Sequence, residues 1–214
     1  MSERDGSVAL ERPRFPLRGG HVALDFANTV GWHASETAHE WLTDYPSLVA
    51  WGWQAGVLSE ADARRLLDEV SRRPDAAAAA LESARGAREV IYRIFTSIAR
   101  GERAAAGDVA ALDAAVQAAF DRLHLEWREG APAWEWVLPA DDFLAMVWPV
   151  VRAAAELLTS EERALVRQCG GDPCGWLFLD TSRKHNRRWC SMADCGNRAK
   201  ARRHRRRRKV AGGV

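Results

Sequence analysis

Cysteine is scarce in this chain: four residues in 214, none of them outside positions 169–195. Acid is scarce too, but only at one end, where Asp194 stands alone among 13 Lys or Arg between Thr181 and Lys209. The opening segment MSERDGSVALERPRFPLRGG has no apolar run, so it reads neither as a secretory leader nor as a membrane span, and the expected location is the cytoplasm. Catalytic signatures are missing as well. There is no Gly-rich phosphate loop, no HExxH and no G-x-S-x-G, and the six His are scattered without a nucleophile partner, so an enzyme is not expected.

What is present is enough apolar material for a core. With 47% hydrophobic and 28% charged residues, the length allows one sizeable domain and an appendage. The formal net charge of +2 hides a segregation of sign, because residues 1–180 carry 18 basic and 28 acidic side chains. One end attracts a polyanion and the rest repels it.

Residues 1–18 are expected to be disordered. HVALDFANTV (21–30), with its β-branched and aromatic residues, suggests a strand or a strand running into a helix. Short amphipathic helices are expected over Leu48–Trp53 and Ala61–Val70, the second capped by Ser59 with Asp62 in its first turn and stopped by Arg73-Pro74. A long core helix follows over Ala76–Ala99, with Leu81, Ala84, Arg88, Ile91 and Phe95 on one face. Asp108 is expected to cap a helix reaching Phe120. Alternation around Glu129-Gly130 predicts a hairpin, and a last helix should start at Pro139–Asp142 and reach Leu158. Trp127, Trp134, Trp136 and Trp148 are read as core or sheet-face packing with paired indole N–H groups, rather than as a ligand cage.

The cysteines fall as C-x4-C-x15-C-x4-C at Cys169, Cys174, Cys190 and Cys195. In a reducing compartment, thiolate pairs separated by short loops suit one tetrahedral zinc better than disulfides, and four protein ligands leave no open position, so the metal is structural. WLFLD (176–180) and RRWC (187–190) are expected to form a hairpin about TSRKHN, with Asp194 capping a helix that begins at Cys195. A knuckle, a hairpin and a helix-borne pair describe a treble-clef-like finger.

Beyond it the chain reads CGNRAKARRHRRRRK, and every side chain from Arg202 to Lys209 is cationic or His. No face is apolar, so the far half of such a helix is ordered by anions, not by burial. The expected partner is nucleic acid, contacted by Arg183, Lys184, Arg187, Arg188, Asn197, Arg198, Lys200, Arg202, Arg203, Arg205 and Arg206. A single long basic helix suits the major groove of double-stranded DNA better than the narrow groove of RNA, although charge alone leaves RNA open. In the body, Asp25, Asn28, Thr29 and Arg88 are candidates for a small-molecule effector site. Their plain alternative is an Asp25–Arg88 pair beside an Asn28-Thr29 turn or cap.

Cys-Gly-Asn-Arg at 195–198, with RRWCSM at 187–192 and WLFLDTS at 176–182, resembles the CGNR zinc finger. GGHVALDFANT at 19–29, DYPSLVAWGWQAGVLS at 44–59 and AREVIYRIF at 87–95 resemble the ABATE domain, with His21 and Ala27 standing where bulkier aliphatics are expected. The resemblance implies bacterial transcription regulators that bind DNA through the finger, with the four cysteines as ligands and Arg188, Trp189, Asn197, Arg198 and Lys200 as motif positions. The expected fold is therefore α+β: a mostly helical ABATE-like domain with a small sheet (1–165), then a small treble-clef-like zinc finger with a C-terminal basic helix (166–214). The body would sense an effector or form a homodimer. An enzyme body targeted by the finger is the alternative from another class.

Overall fold

The computed structural model describes residues 15–33 and 35–211, the last four as backbone alone. Residues 1–14, most of the segment expected to be disordered, lie outside it. Residues 15–18 are anchored, contrary to that expectation. Phe15 is buried, its amide donates to Gln54 Oε1 (2.8 Å) and its carbonyl accepts from Gln54 Nε2 (2.7 Å).

The first element, α1 (Val22–Ala27), is a helix from its start, where a strand or a strand running into a helix was expected. Its Ala23, Leu24, Phe26 and Ala27 are all shut from solvent, so burial on a helical face overrides the β-leaning composition. The strand begins only after Asn28-Thr29: β1 (Val30–Gly31) pairs antiparallel with β2 (His39–Glu40). Next come α2 (Tyr45–Gln54) and α3 (Glu60–Val70). Asp44 and Ser47 form a reciprocal capping box on α2, which starts it earlier than the periodicity suggests, and Ser59 caps α3 as expected. Within α2, a Cβ on Gly52 would lie 2.8 Å from Met146 Cβ, so this helix approaches residue 146 more closely than any side chain permits.

The long helix α4 (Pro74–Ala99) begins at the proline itself, a residue suited to a first turn, and buries Leu81, Ala84, Arg88, Ile91 and Phe95 as read from the sequence. Helix α5 (Ala106–Phe120) has Ala105, not Asp108, at its N-cap, and the Asp108 carboxylate instead pairs with Arg93 (2.6 Å). Strands β3 (Leu123–Arg128) and β4 (Ala131–Trp136) form the expected hairpin, with positive φ at Glu129 and Gly130. Trp127 and Trp134 are not in the core: they are 74% and 52% exposed on one hairpin face. Trp148 is buried and donates to Asp142 Oδ2 (2.9 Å).

Residues 139–146 are turns, and α6 (Val147–Thr159) starts later than expected because Asp142 is occupied by Trp148, Arg122 and the Leu144 amide. Helices α1, α4, α5 and α6 pack on one another, with α2 and α3 against α4. A 3-10 turn (Glu161–Leu165) leads to β5 (Val166–Gln168), which pairs antiparallel with β6 (Leu177–Leu179). Val166, Leu177 and Leu179 join the core of the helical body, so the segment after residue 165 is continuous with what precedes it. The last described element is α7 (Asn197–Ala211). No helix among the described residues is long and apolar enough to cross a membrane.

Candidate metal centre and nucleic-acid interface

β5 delivers Cys169 to the start of a tight loop. Its amide donates to the Trp176 carbonyl (2.7 Å), so the antiparallel ladder continues through it and closes the knuckle Gly170–Pro173. Gly171 is required there: a Cβ would lie 2.9 Å from Cys195 Cβ and 3.1 Å from its sulfur. The knuckle and the second cysteine pair are stitched by backbone, with Gly170 N–H donating to Arg188 O (2.9 Å) and Cys190 N–H to Cys169 Sγ (3.3 Å). All four cysteines are buried, and their sulfurs lie within 4.8 Å of one another.

The spacing fits the metal. A tetrahedron with Zn–S bonds of about 2.3 Å has edges of about 3.8 Å, and the Cys174–Cys190 and Cys190–Cys195 sulfurs are each 3.7 Å apart. The thiols also conflict electrostatically. Cys169, accepting from Cys174 and Cys190, is driven well below the ordinary thiol range, and those two are driven well above it. A dication at the centre removes that conflict by letting every sulfur ionise. The donor set of four sulfurs, closed and buried, holds one zinc in a structural role.

Between the pairs, the expected hairpin does not form. β6 pairs with β5 across the knuckle, and residues 187–190 carry no ladder. Asp180 organises this stretch instead. Its fully buried carboxylate accepts from the Ser182 hydroxyl (2.5 Å) and from the amides of Ser182 (3.1 Å) and Arg187 (2.8 Å). Burial opposes its charge, but these donors win and hold it below the usual carboxylate range. Sequence reasoning missed Asp180, although Asp-Thr-Ser directly after an apolar strand is an Asx-turn signal.

Asp194 is not the helix cap. Ser191 caps a π-helical turn (Met192–Gly196) that carries Cys195, and the Asp194 carboxylate pairs with Arg18 and the Ser191 hydroxyl.

The predicted basic residues divide into two groups. Arg187 is spent internally, stacked 4.5 Å over Phe178 and donating to Trp189 O and Cys190 O. Asn197 turns back to Ala193 O (2.9 Å), Arg198 donates to Cys195 Sγ (3.0 Å), and Arg202 reaches Asp172 O (2.5 Å). Arg183, Lys184, Lys200, Arg203, Arg205 and Arg206 are exposed, with no hydrogen bond or ion pair to another described residue. Arg188 is exposed and stacks on Trp189.

The N-terminal candidates meet only in part: Arg88 Nη1 donates to Thr29 Oγ1 (3.4 Å), while the other side chains are bonded elsewhere. Asn28 caps α1 and makes a two-way amide bridge to β6, donating to Leu177 O and accepting from Leu177 N, both at 2.8 Å. Thr29 Oγ1 donates to Phe26 O (2.8 Å). Buried Arg88 forks onto Glu40 at 2.7 Å through each arm, and Asp25 accepts the Gly19 amide (2.7 Å), so the Asp25–Arg88 pairing is replaced by two separate ones. Burial pushes the Asp25 carboxyl up to about 6, against the amides of Gly19 and Arg18.

The ABATE family, described as "putative stress-induced transcription regulator", matches residues 20–161, and the CGNR zinc finger matches residues 166–208. The first match alone spans more than half of the chain, which therefore belongs to the ABATE family, followed by a CGNR zinc finger. Among curated proteins, none matches the chain.

Proposed function

We propose that the protein is a DNA-binding transcription regulator, with α7 and the turn before Cys190 as its contact surface and residues 1–165 as a sensor or dimerisation body. The observation that carries this reading is the attachment of α7. Its first turn grows out of the cysteine centre through Cys195, and Arg198 is bonded to that cysteine, so a row of unpaired cations leaves a rigid base in one direction. A solvated tail would have no such base. Lys200, Arg203, Arg205 and Arg206 meet phosphates along the helix, while Arg183, Lys184 and Arg188 supply contacts from the preceding turn. Arg187 and Asn197 act as braces. The family's description as a regulator supports a role in binding rather than in catalysis.

A salt-titrated duplex-binding assay tests the reading. With about six to eight phosphate contacts, affinity falls by roughly three to five orders of magnitude between 50 and 200 mM salt. A chain ending at Lys200 keeps its zinc and loses most of that slope. Equal binding by the truncated chain overturns the assignment of α7, and preference for an RNA competitor replaces the DNA reading with an RNA one.

A further inference from the structure

A cavity of about 360 Å³ lies where the β1–β2 loop of the body meets the cysteine centre. Trp32, His39 and Trp41 come from the body and Trp176 from the link between the knuckle and β6; Cys174, Cys190 and Cys195 also line it, with Arg18, Asp194 and Arg198. An ion bonded to four sulfurs within 4.8 Å of one another fills little of that space. The size falls within the range of small-ligand pockets, and none of the predicted sensor residues lines it.

Three features of the wall point to an occupant. Trp32 stands at φ 54°, a strained conformation for a bulky side chain, and holds its indole 44% exposed. Trp176 is fixed by an indole bond to Val30 O (2.7 Å), and His39 packs edge-on to Trp41 at 5.3 Å, so the aromatic surfaces are preformed. Most of the unspent hydrogen-bonding capacity is donor capacity, the exposed His39 imidazole adding one acceptor. Trp41 Nε1 is buried with no acceptor, and the guanidinium groups of Arg18 and Arg198 each bond one side-chain acceptor while carrying five N–H groups. The Asp194 carboxylate is already taken by Arg18 and Ser191.

We propose that this cavity binds a planar aromatic acid, its ring against the indoles and its carboxylate on the arginines. Such a ligand bridges the body loop to Arg18, itself paired with Asp194, and to Arg198 at the root of α7. It thereby ties effector occupancy to the orientation of the basic helix, and by linkage any effect on duplex affinity is returned as an equal effect on ligand affinity. The binding stands on the cavity alone. The coupling rests on the nucleic-acid reading.

Calorimetric titration of the zinc-loaded full chain with naphthoate tests it. Saturable binding is expected, weakened roughly tenfold by Trp32→Ala and again by Arg18→Gln, both at exposed or half-exposed positions outside the metal ligands. Naphthylmethanol, which lacks the charge, and cyclohexanecarboxylate, which lacks the ring, should each bind more weakly, and Trp127→Ala on the distant hairpin should change nothing. No saturable binding, or equal binding by Trp32→Ala with its zinc retained, overturns the site. Duplex affinity is then measured with and without naphthoate. No change removes the coupling and keeps the pocket, whereas no duplex binding at all removes the nucleic-acid reading and leaves the pocket standing.

Discussion

In the helical body, the side chains removed from water are Leu24, Phe26, Trp51, Ile91, Phe95 and their neighbours from six helices; around the metal centre they are four cysteines with Trp176 and Phe178. The body carries the excess of acid, while the C-terminal part carries the excess of base and has too little apolar surface to hold itself. The difference teaches where specificity of shape comes from in each. Dispersion and burial fix the body through many small terms, and a single coordination event fixes the root of α7 through one large one.

The sharpest way to break the comparison is to remove the metal. Cys190→Ser or chelation should forfeit on the order of 10 kcal/mol of metal binding, releasing zinc and abolishing salt-dependent duplex binding while far-ultraviolet circular dichroism shows the body's helices intact. Simultaneous collapse of both parts would show that they are one cooperative unit. The converse change, Phe95→Ala, removes a fully buried ring from α4 and should cost about 3–5 kcal/mol in chemical denaturation, with zinc stoichiometry unchanged.

Asn28→Ala probes the seam. It leaves the Leu177 amide and carbonyl without their 2.8 Å partners, and a loss of about 1–3 kcal/mol is expected, read as a lower denaturation midpoint and faster amide exchange in β6. A smaller effect comes from Asp25. Its carboxyl, pushed up to about 6 by burial, favours the protonated form in the fold, whereas the unfolded chain titrates near about 3.9. Its contribution is therefore full below the unfolded value and is lost as pH rises through the folded one. Urea midpoints should decline over that window, and Asp25→Asn should flatten the decline. The smallest expected change is Arg205→Ala, which lowers the salt slope of duplex binding by about one without moving the melting point.

What could be read from the chain beforehand divides along the same line. The cysteine spacing, the Ser59 cap and the Glu129-Gly130 turn are local signals, each decided within a few residues, and the structure carries them as read. Nonlocal choices were not legible. β6 could pair with residues 187–190 or with 166–168, and the backbone stitch through the knuckle selects the latter. The segment at 22–27 is helical because its apolar residues meet α4 and α6, a fact external to that segment. Arg88 was correctly placed on a core-facing stripe, but its partner Glu40 lies 48 positions away on a two-residue strand that no periodicity announces. The Trp32 wall was invisible for a similar reason, since a positive φ leaves no mark in composition.

The bridge from Asn28 to Leu177, together with the Trp176 indole on Val30 and the Leu179 amide on Gly19, bears on how this architecture could be re-engineered. A chimera cut between residues 165 and 166 would sever none of those bonds in sequence, yet would replace one side of all of them. Transplanting the metal-bearing end into another host thus means carrying residues 19–30 as part of the graft, as a keyhole travels with its key.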